Sequence, residues 1–272
     1  MRKILIAAAI AVLGTSAAQA QGTWAGTYTG INAGGSWSNS GGSNTATCGA
    51  PGGLDVYICN NTDPTAASEL LNSLVRSSSG GQFTGGAHAG INWQSGAFVY
   101  GIESDLGYLN IGKRQTGTGV YSTGGGGGAG LGGDTYWINT SASSDFLFTF
   151  RGRLGYAISP NLLAYGTGGL AVGRTTVSSN YQDTHNHGGP LGGNGALTTE
   201  RFKLGWTAGA GLEYAYARNW TVRAEYMYVD LGTSSANMII NNPPHAPEYT
   251  PFSTSYDMNS HILRAGLSYR FQ

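Results

Sequence analysis

The chain has 272 residues, 46 of them Gly, with 11% aromatic and only 10% charged side chains and a formal charge of zero. Ordinary soluble domains carry roughly 25% charge, and disorder requires high charge with few aromatics, so neither class fits. The glycines have no three-residue period, which removes collagen, and no basic run exists, which removes a nucleic-acid partner.

Residues 1–20 read as a secretory signal. Arg2 and Lys3 open it, Ile4 to Leu13 form its apolar stretch, and Ala18-Gln19-Ala20 is a small-residue cleavage site. The mature chain would then be 21–272, in which no stretch approaches the roughly 20 apolar residues of a membrane helix.

From there the apolar pattern has period two, in segments longer than soluble strands usually run. Segments 24–37 and 82–94 come first, their faces blurred by Gly, although Phe83, Ala87, Ile91 and Trp93 oppose Thr84, His88 and Asn92. Phe98 to Ile111 sets Tyr100, Ile102, Leu106 and Tyr108 against Glu103 and Asp105. Asp145 to Ile158 sets Phe148, Phe150, Leu154 and Tyr156 against Thr149, Arg151 and Arg153. Segment 161–174 is again Gly-rich; Phe202 to Tyr214 then opposes its aromatic and aliphatic face to Lys203, Thr207 and Glu213. In Asn219 to Asp230 the apolar face opposes Arg223 and Glu225, and in His261 to Phe271 it opposes Arg264 and Arg270.

Eight strands are therefore expected, joined by connections of alternating length. The short ones lie near Gln94-Ser95-Gly96, Ser159-Pro160 and Ala217-Arg218-Asn219; the long ones are 38–81, 112–144, 175–200 and 232–260. An even strand number with short turns at one end and long loops at the other is the layout of an eight-stranded antiparallel transmembrane β-barrel, with periplasmic turns and external loops. A soluble β-sandwich also alternates, but it turns its charged face outward. Here Trp93, Trp220, Tyr108 and Tyr228 sit near segment ends on the apolar faces, where interfacial girdles would. Cys48 and Cys59 lie in the first long loop and, in an exported chain, are expected to form one disulfide.

The barrel reading turns the charged faces inward. Six cations (Arg151, Arg153, Lys203, Arg223, Arg264 and Arg270) and four anions (Glu103, Asp105, Glu213 and Glu225) would line the lumen as an ion-pair network. One Arg or Lys at the midplane on the lipid face costs about 2–4 kcal/mol, so the set decides the orientation.

Several runs also resemble a known family. They include Tyr28-Thr29-Gly30-Ile31-Asn32-Ala33-Gly34-Gly35, Gly90-Ile91-Asn92-Trp93-Gln94 and Gly101-Ile102-Glu103-Ser104-Asp105. Further along come Phe150-Arg151-Gly152-Arg153-Leu154-Gly155-Tyr156, Glu225-Tyr226-Met227-Tyr228-Val229-Asp230-Leu231-Gly232 and Leu263-Arg264-Ala265-Gly266-Leu267-Ser268-Tyr269-Arg270-Phe271. In this order they resemble the small Gram-negative outer-membrane β-barrel proteins related to the OmpA barrel, which include outer-membrane immunogenic, haemin-binding and porin-family proteins. The resemblance implies a surface antigen in outer-membrane lipid, inserted by barrel-assembly machinery, without a cofactor or catalytic activity. It implies haemin or a host surface as partner in some members. The chain departs from the pattern by ending Phe271-Gln272 rather than on an aromatic residue.

Chemistry-bearing patterns are few. His185-Asn186-His187, with Asp183 close by, has imidazoles two residues apart that could ligate a metal or haem iron on an extended segment. Tyr181, His185 and His187 are thus the candidate haemin ligands, against the plainer reading of solvated loop residues. His88 and His261 fall on strands and suit packing or hydrogen bonding. No nucleophile–base spacing stands out, so no catalytic residue is expected. An interior just filled by side chains disfavours a wide channel and leaves a narrow porin as an alternative.

Overall fold

The computed structural model describes residues 24–38, 41–48, 57–59, 64–77, 80–122, 131–185, 192–242 and 249–271. The expected signal, residues 1–20, and His187 lie outside them. Strands β1 (Gly26–Trp37), β4 (Gln82–Ser95), β5 (Phe98–Leu109), β7 (Thr135–Ser159), β8 (Leu162–Asp183), β9 (Asn194–Ala215), β10 (Trp220–Asn241) and β11 (Tyr249–Phe271) form the main ladder. Each pairs antiparallel with the next, and β11 returns to β1, which closes a ring of eight. Closure leaves no sheet edge within the band, which is what a lipid-facing sheet requires.

Around the band the outward side chains are apolar. Ile31, Ile102, Leu106, Phe150, Leu154, Leu170, Leu212 and Leu263 are all exposed, a continuous patch far beyond what a soluble monomer shows. Aromatic pairs rim it. At the short-turn end Trp93 stacks on Tyr100 at 5.9 Å and Trp220 meets Tyr269 at 5.1 Å. At the long-loop end Trp37 stacks on His261 at 5.8 Å and Trp206 meets Tyr228 at 5.3 Å. No described helix is long and apolar enough to cross a membrane; strands do the crossing.

The expected long loops are largely folded, which corrects the strand ends drawn from sequence. Strands β7 to β11 run 22 to 25 residues, about twice the membrane requirement, and continue past the band. The same end carries β2 (Gly42–Ala46), which pairs with β11, and α1 (Thr65–Ser73), β3 (Val75–Ser77) and β6 (Ile111–Val120). Strand β6 continues the line of β5 along β7. The extension hid in the sequence because beyond lipid the outer face turns to Thr, Ser and Asn. The inner face stays apolar, through Ile138, Val177, Met238, Ile240 and Phe252, while outward apolar residues such as Trp137 and Ile239 are scattered.

Parity also reverses twice at the top of the band. The ladder slips by one residue at Asp145 in β7 and around Gly232 in β10, where φ is +70°. Such a bulge moves every following side chain to the other face. Inward positions on β10 accordingly change from odd (Val229, Leu231) to even (Ser234, Ala236).

Candidate functional site: the filled lumen and its cap

Strand register brings the charged faces together inside the bore. Glu103 of β5 is paired in register with Arg151 of β7, Glu213 of β9 with Arg223 of β10, and Glu225 of β10 with Arg264 of β11. Arg151 contacts Glu103 and reaches Glu225 Oε1 at 2.9 Å. Arg223 crosses the whole bore to Glu103 Oε2 at 2.6 Å. Arg153 binds Glu213 Oε2 at 2.7 Å and lies 3.9 Å over the Tyr165 ring. Arg264 joins Glu225 at 2.5 Å to Asp105 at 2.8 Å. Tyr28 donates its hydroxyl to Glu103 at 2.8 Å, and His88 meets Ser268 Oγ at 2.8 Å.

Four guanidinium groups thus face four carboxylates in a layer almost without solvent contact. Arg270 and Lys203, grouped with these residues by strand parity, stand apart from the layer. Arg270 lies at the short-turn end, 5.2 Å from the Trp24 ring. Lys203 sits above the band in a cleft beside β10, because β9 has left the ring there. The parity of a strand fixes the face of a residue but not its height relative to a break in the ladder.

The charged layer has apolar neighbours on both sides. Trp24, Val99, Leu163 and Ala215 fill the floor at the short-turn end. Above it, Leu109, Ile111, Leu147, Met227, Val229 and Met258 fill the bore.

The extension ends in a cap built partly from the first long connection. Cys48 and Cys59 form the disulfide, Cα atoms 5.3 Å apart, which ties the end of β2 to residues 57–59. Tyr57 and Ile58 are buried in the mouth with Leu70 of α1, Tyr121 and Tyr181. Asp183 organises this layer: its carboxylate accepts from Tyr57 and Tyr181, each at 2.7 Å, and from the Gly193 amide at 2.7 Å. Tyr121 and Tyr181 share a 2.8 Å hydrogen bond. Burial first, and the Asp183 charge second, hold the Tyr57 phenol well above its ordinary range; burial does the same for Tyr121 and Tyr181.

The candidate haemin ligands belong to this cap. The Tyr181 hydroxyl is buried between Asp183 and Tyr121, so it has no face turned to a ligand. His185 Nδ1 lies 2.6 Å from Asp134, and its ring stands 6.2 Å from Tyr57. Among the described residues no group of three or more His, Cys, Asp or Glu converges as a metal site. Sequence reasoning placed Asp183 only beside the His185–His187 pair and did not reach Tyr57 as its partner in the cap; a lone Asp at a strand end carries no periodic signal.

The family model described as "Outer membrane protein beta-barrel domain" matches residues 5–271. The 31 kDa outer-membrane immunogenic protein of Brucella melitensis is 32% identical over 252 residues, covering 92% of this chain and 84% of the relative. A 22 kDa outer membrane protein of Rhizobium leguminosarum is 33% identical over 187 residues, covering 69% of this chain and 66% of that one. Among solved structures, OprG of Pseudomonas aeruginosa is similar with a TM-score of 0.44 at 10% identity, covering 92% of this chain and 99% of that one. A closed antiparallel ring of eight, a lipid-facing apolar band and a match along nearly the whole length place the chain in the outer membrane protein β-barrel domain family.

Proposed function

We propose that this outer-membrane barrel is a non-catalytic surface protein whose extracellular extension is its working part, offered to host or neighbouring-cell partners. The observation that carries the reading is the filled bore. An apolar floor, a neutral ion layer, a second apolar layer and a disulfide-tied cap occupy successive heights. A solute path would have to break the ion layer, and breaking a buried pair leaves an uncompensated charge at a cost of about 3–5 kcal/mol. Export by an N-terminal signal cleaved after Ala20, and insertion by barrel-assembly machinery, complete the proposal.

Planar-bilayer recording of the purified protein tests it. Small or absent steady conductance is expected, whereas a large stable open state would overturn the reading in favour of a narrow porin. Haemin binding by the loops is the second reading. The engagement of Tyr181 and His185 within the cap speaks against their serving as ready iron ligands. Titration with haemin is expected to leave the Soret band unshifted, and a saturable shift lost in His185→Ala would restore that reading.

A further inference from the structure

Strand β9 leaves the ring just above the membrane band. Its ladder with β10 holds from Ala215 up to Trp206, which faces Asp230, and resumes only at Asn194, which faces Asn241. Between these points β9 keeps its pairing with β8 alone. Two local features open the gap. The bulge at Gly232 turns β10 inward, so that Ser234 Oγ meets Thr175 Oγ1 of β8 at 3.0 Å behind β9. Gly205 marks the parting point: a Cβ there would strike the Asp230 carbonyl and lie 2.8 Å from Leu231 Cα.

The result is a narrow lateral slit, about 20 Å³ inside and open to solvent, lined by Thr175, Val177, Thr199, Arg201, Lys203, Ser234 and Ser235. Neither Arg201 nor Lys203 has a carboxylate within 4.0 Å among the described residues, in a chain whose other barrel cations are mostly paired. The nearby outward cation, Arg174, is compensated by Asp145 at 2.8 Å and Glu200 at 3.5 Å. Asp230 stands at the foot of the slit, with one carboxylate oxygen accepting from the Gly232 amide at 2.7 Å. Amides on the open edge of β9 have no ladder partner there and add donors.

Two cations, hydroxyl groups and free strand amides make an anion site of the kind that suits phosphate oxygens. Its height decides the source. It lies immediately beyond the Trp206–Tyr228 girdle, at the level of outer-leaflet headgroups.

We propose that the mouth of this slit binds a phosphate of an outer-leaflet phosphoglycolipid, with Arg201 and Lys203 as the cations. The site goes beyond the surface role proposed above and stands or falls separately from it.

The test uses the full mature protein reconstituted in phosphatidylcholine vesicles that contain either bisphosphorylated lipid A or lipid A stripped of its phosphates. Lipid retained per barrel is measured for the wild type, for Arg201→Gln/Lys203→Gln, and for Arg218→Gln in the short turn at the opposite end. The wild type and Arg218→Gln are expected to prefer the phosphorylated lipid roughly tenfold or more, and the double variant to lose that preference. Heat-dependent gel mobility reports folding, and Lys203→Gln alone replaces the double variant if that one fails to fold. Preference surviving the loss of the cations would overturn the proposal. So would displacement of the lipid by inorganic phosphate at equal concentration, which would make free phosphate the ligand. Unchanged retention with new self-association would also overturn it, leaving the two charges as protection of an open strand edge.

Discussion

Single residues set the stability of the interior. Glu225 lies between Arg151 and Arg264, so Glu225→Leu removes one carboxylate and leaves two buried guanidinium groups short of charge. We expect a loss of about 3–5 kcal/mol, read as a fall in the folded fraction during urea titration in detergent. Val222→Leu, on the neighbouring outward position, should change stability little, because lipid accepts the added methylene. Equal effects of the two would show that the ion layer does not govern folding. Gly205 supplies a second residue-level expectation. Gly205→Val forces a side chain into the backbone of β10 and should cost about 1–3 kcal/mol. Gly81→Ala, with open space around it, should be neutral in the same titration.

At the scale of elements, the cap and the band are separable. Band strands are held by the closed ladder, whereas residues 57–59 are held by the disulfide and by Asp183. Replacing Cys48 and Cys59 together by Ser releases a constraint worth up to about 3 kcal/mol in the chain-entropy description. Protease should then cut the first long connection faster, while heat-dependent gel mobility stays that of a folded barrel. Loss of the folded band in that variant would refute the separation. Alkaline pH should act on the same element. An unfolded tyrosine titrates near 10.0, and Tyr57, Tyr121 and Tyr181 are held above that value. Their contribution is complete below pH 10.0 and is lost as pH rises beyond it, because an opened cap can ionise its phenols. Proteolysis of the cap should therefore accelerate above that pH and do so less steeply in Tyr57→Phe.

For the whole molecule, inward charge and outward hydrocarbon are one decision. With Arg and Glu faces turned to lipid the barrel could not insert; with them inside, the bore is filled and the outer face of the band is left apolar for lipid. Export precedes all of this, and the amino terminus of the protein recovered from outer membranes should be Gln21. Recovery of an intact Met1 would exclude the signal reading of residues 1–20.

Period-two alternation, scarce charge and the spacing of turns were enough to read the membrane halves of the eight strands, because lipid permits only apolar side chains on one face. The same alternation separated charged faces from apolar ones, and the expected export signal with two cysteines made a disulfide the expected pairing. Three things had to wait for the folded chain. The strands continue far beyond the band, since water accepts the polar residues that blur the pattern there. The bulges at Asp145 and Gly232 reverse parity within one residue, too short an event for a periodic signal to register. Lys203 stands far up β9 from Glu213, above the ion layer, and the departure of β9 from β10 places it with Arg201 in a slit. Alternation is a property of one strand, whereas a partner's presence or absence belongs to the ring, and only closure of the ring decides it.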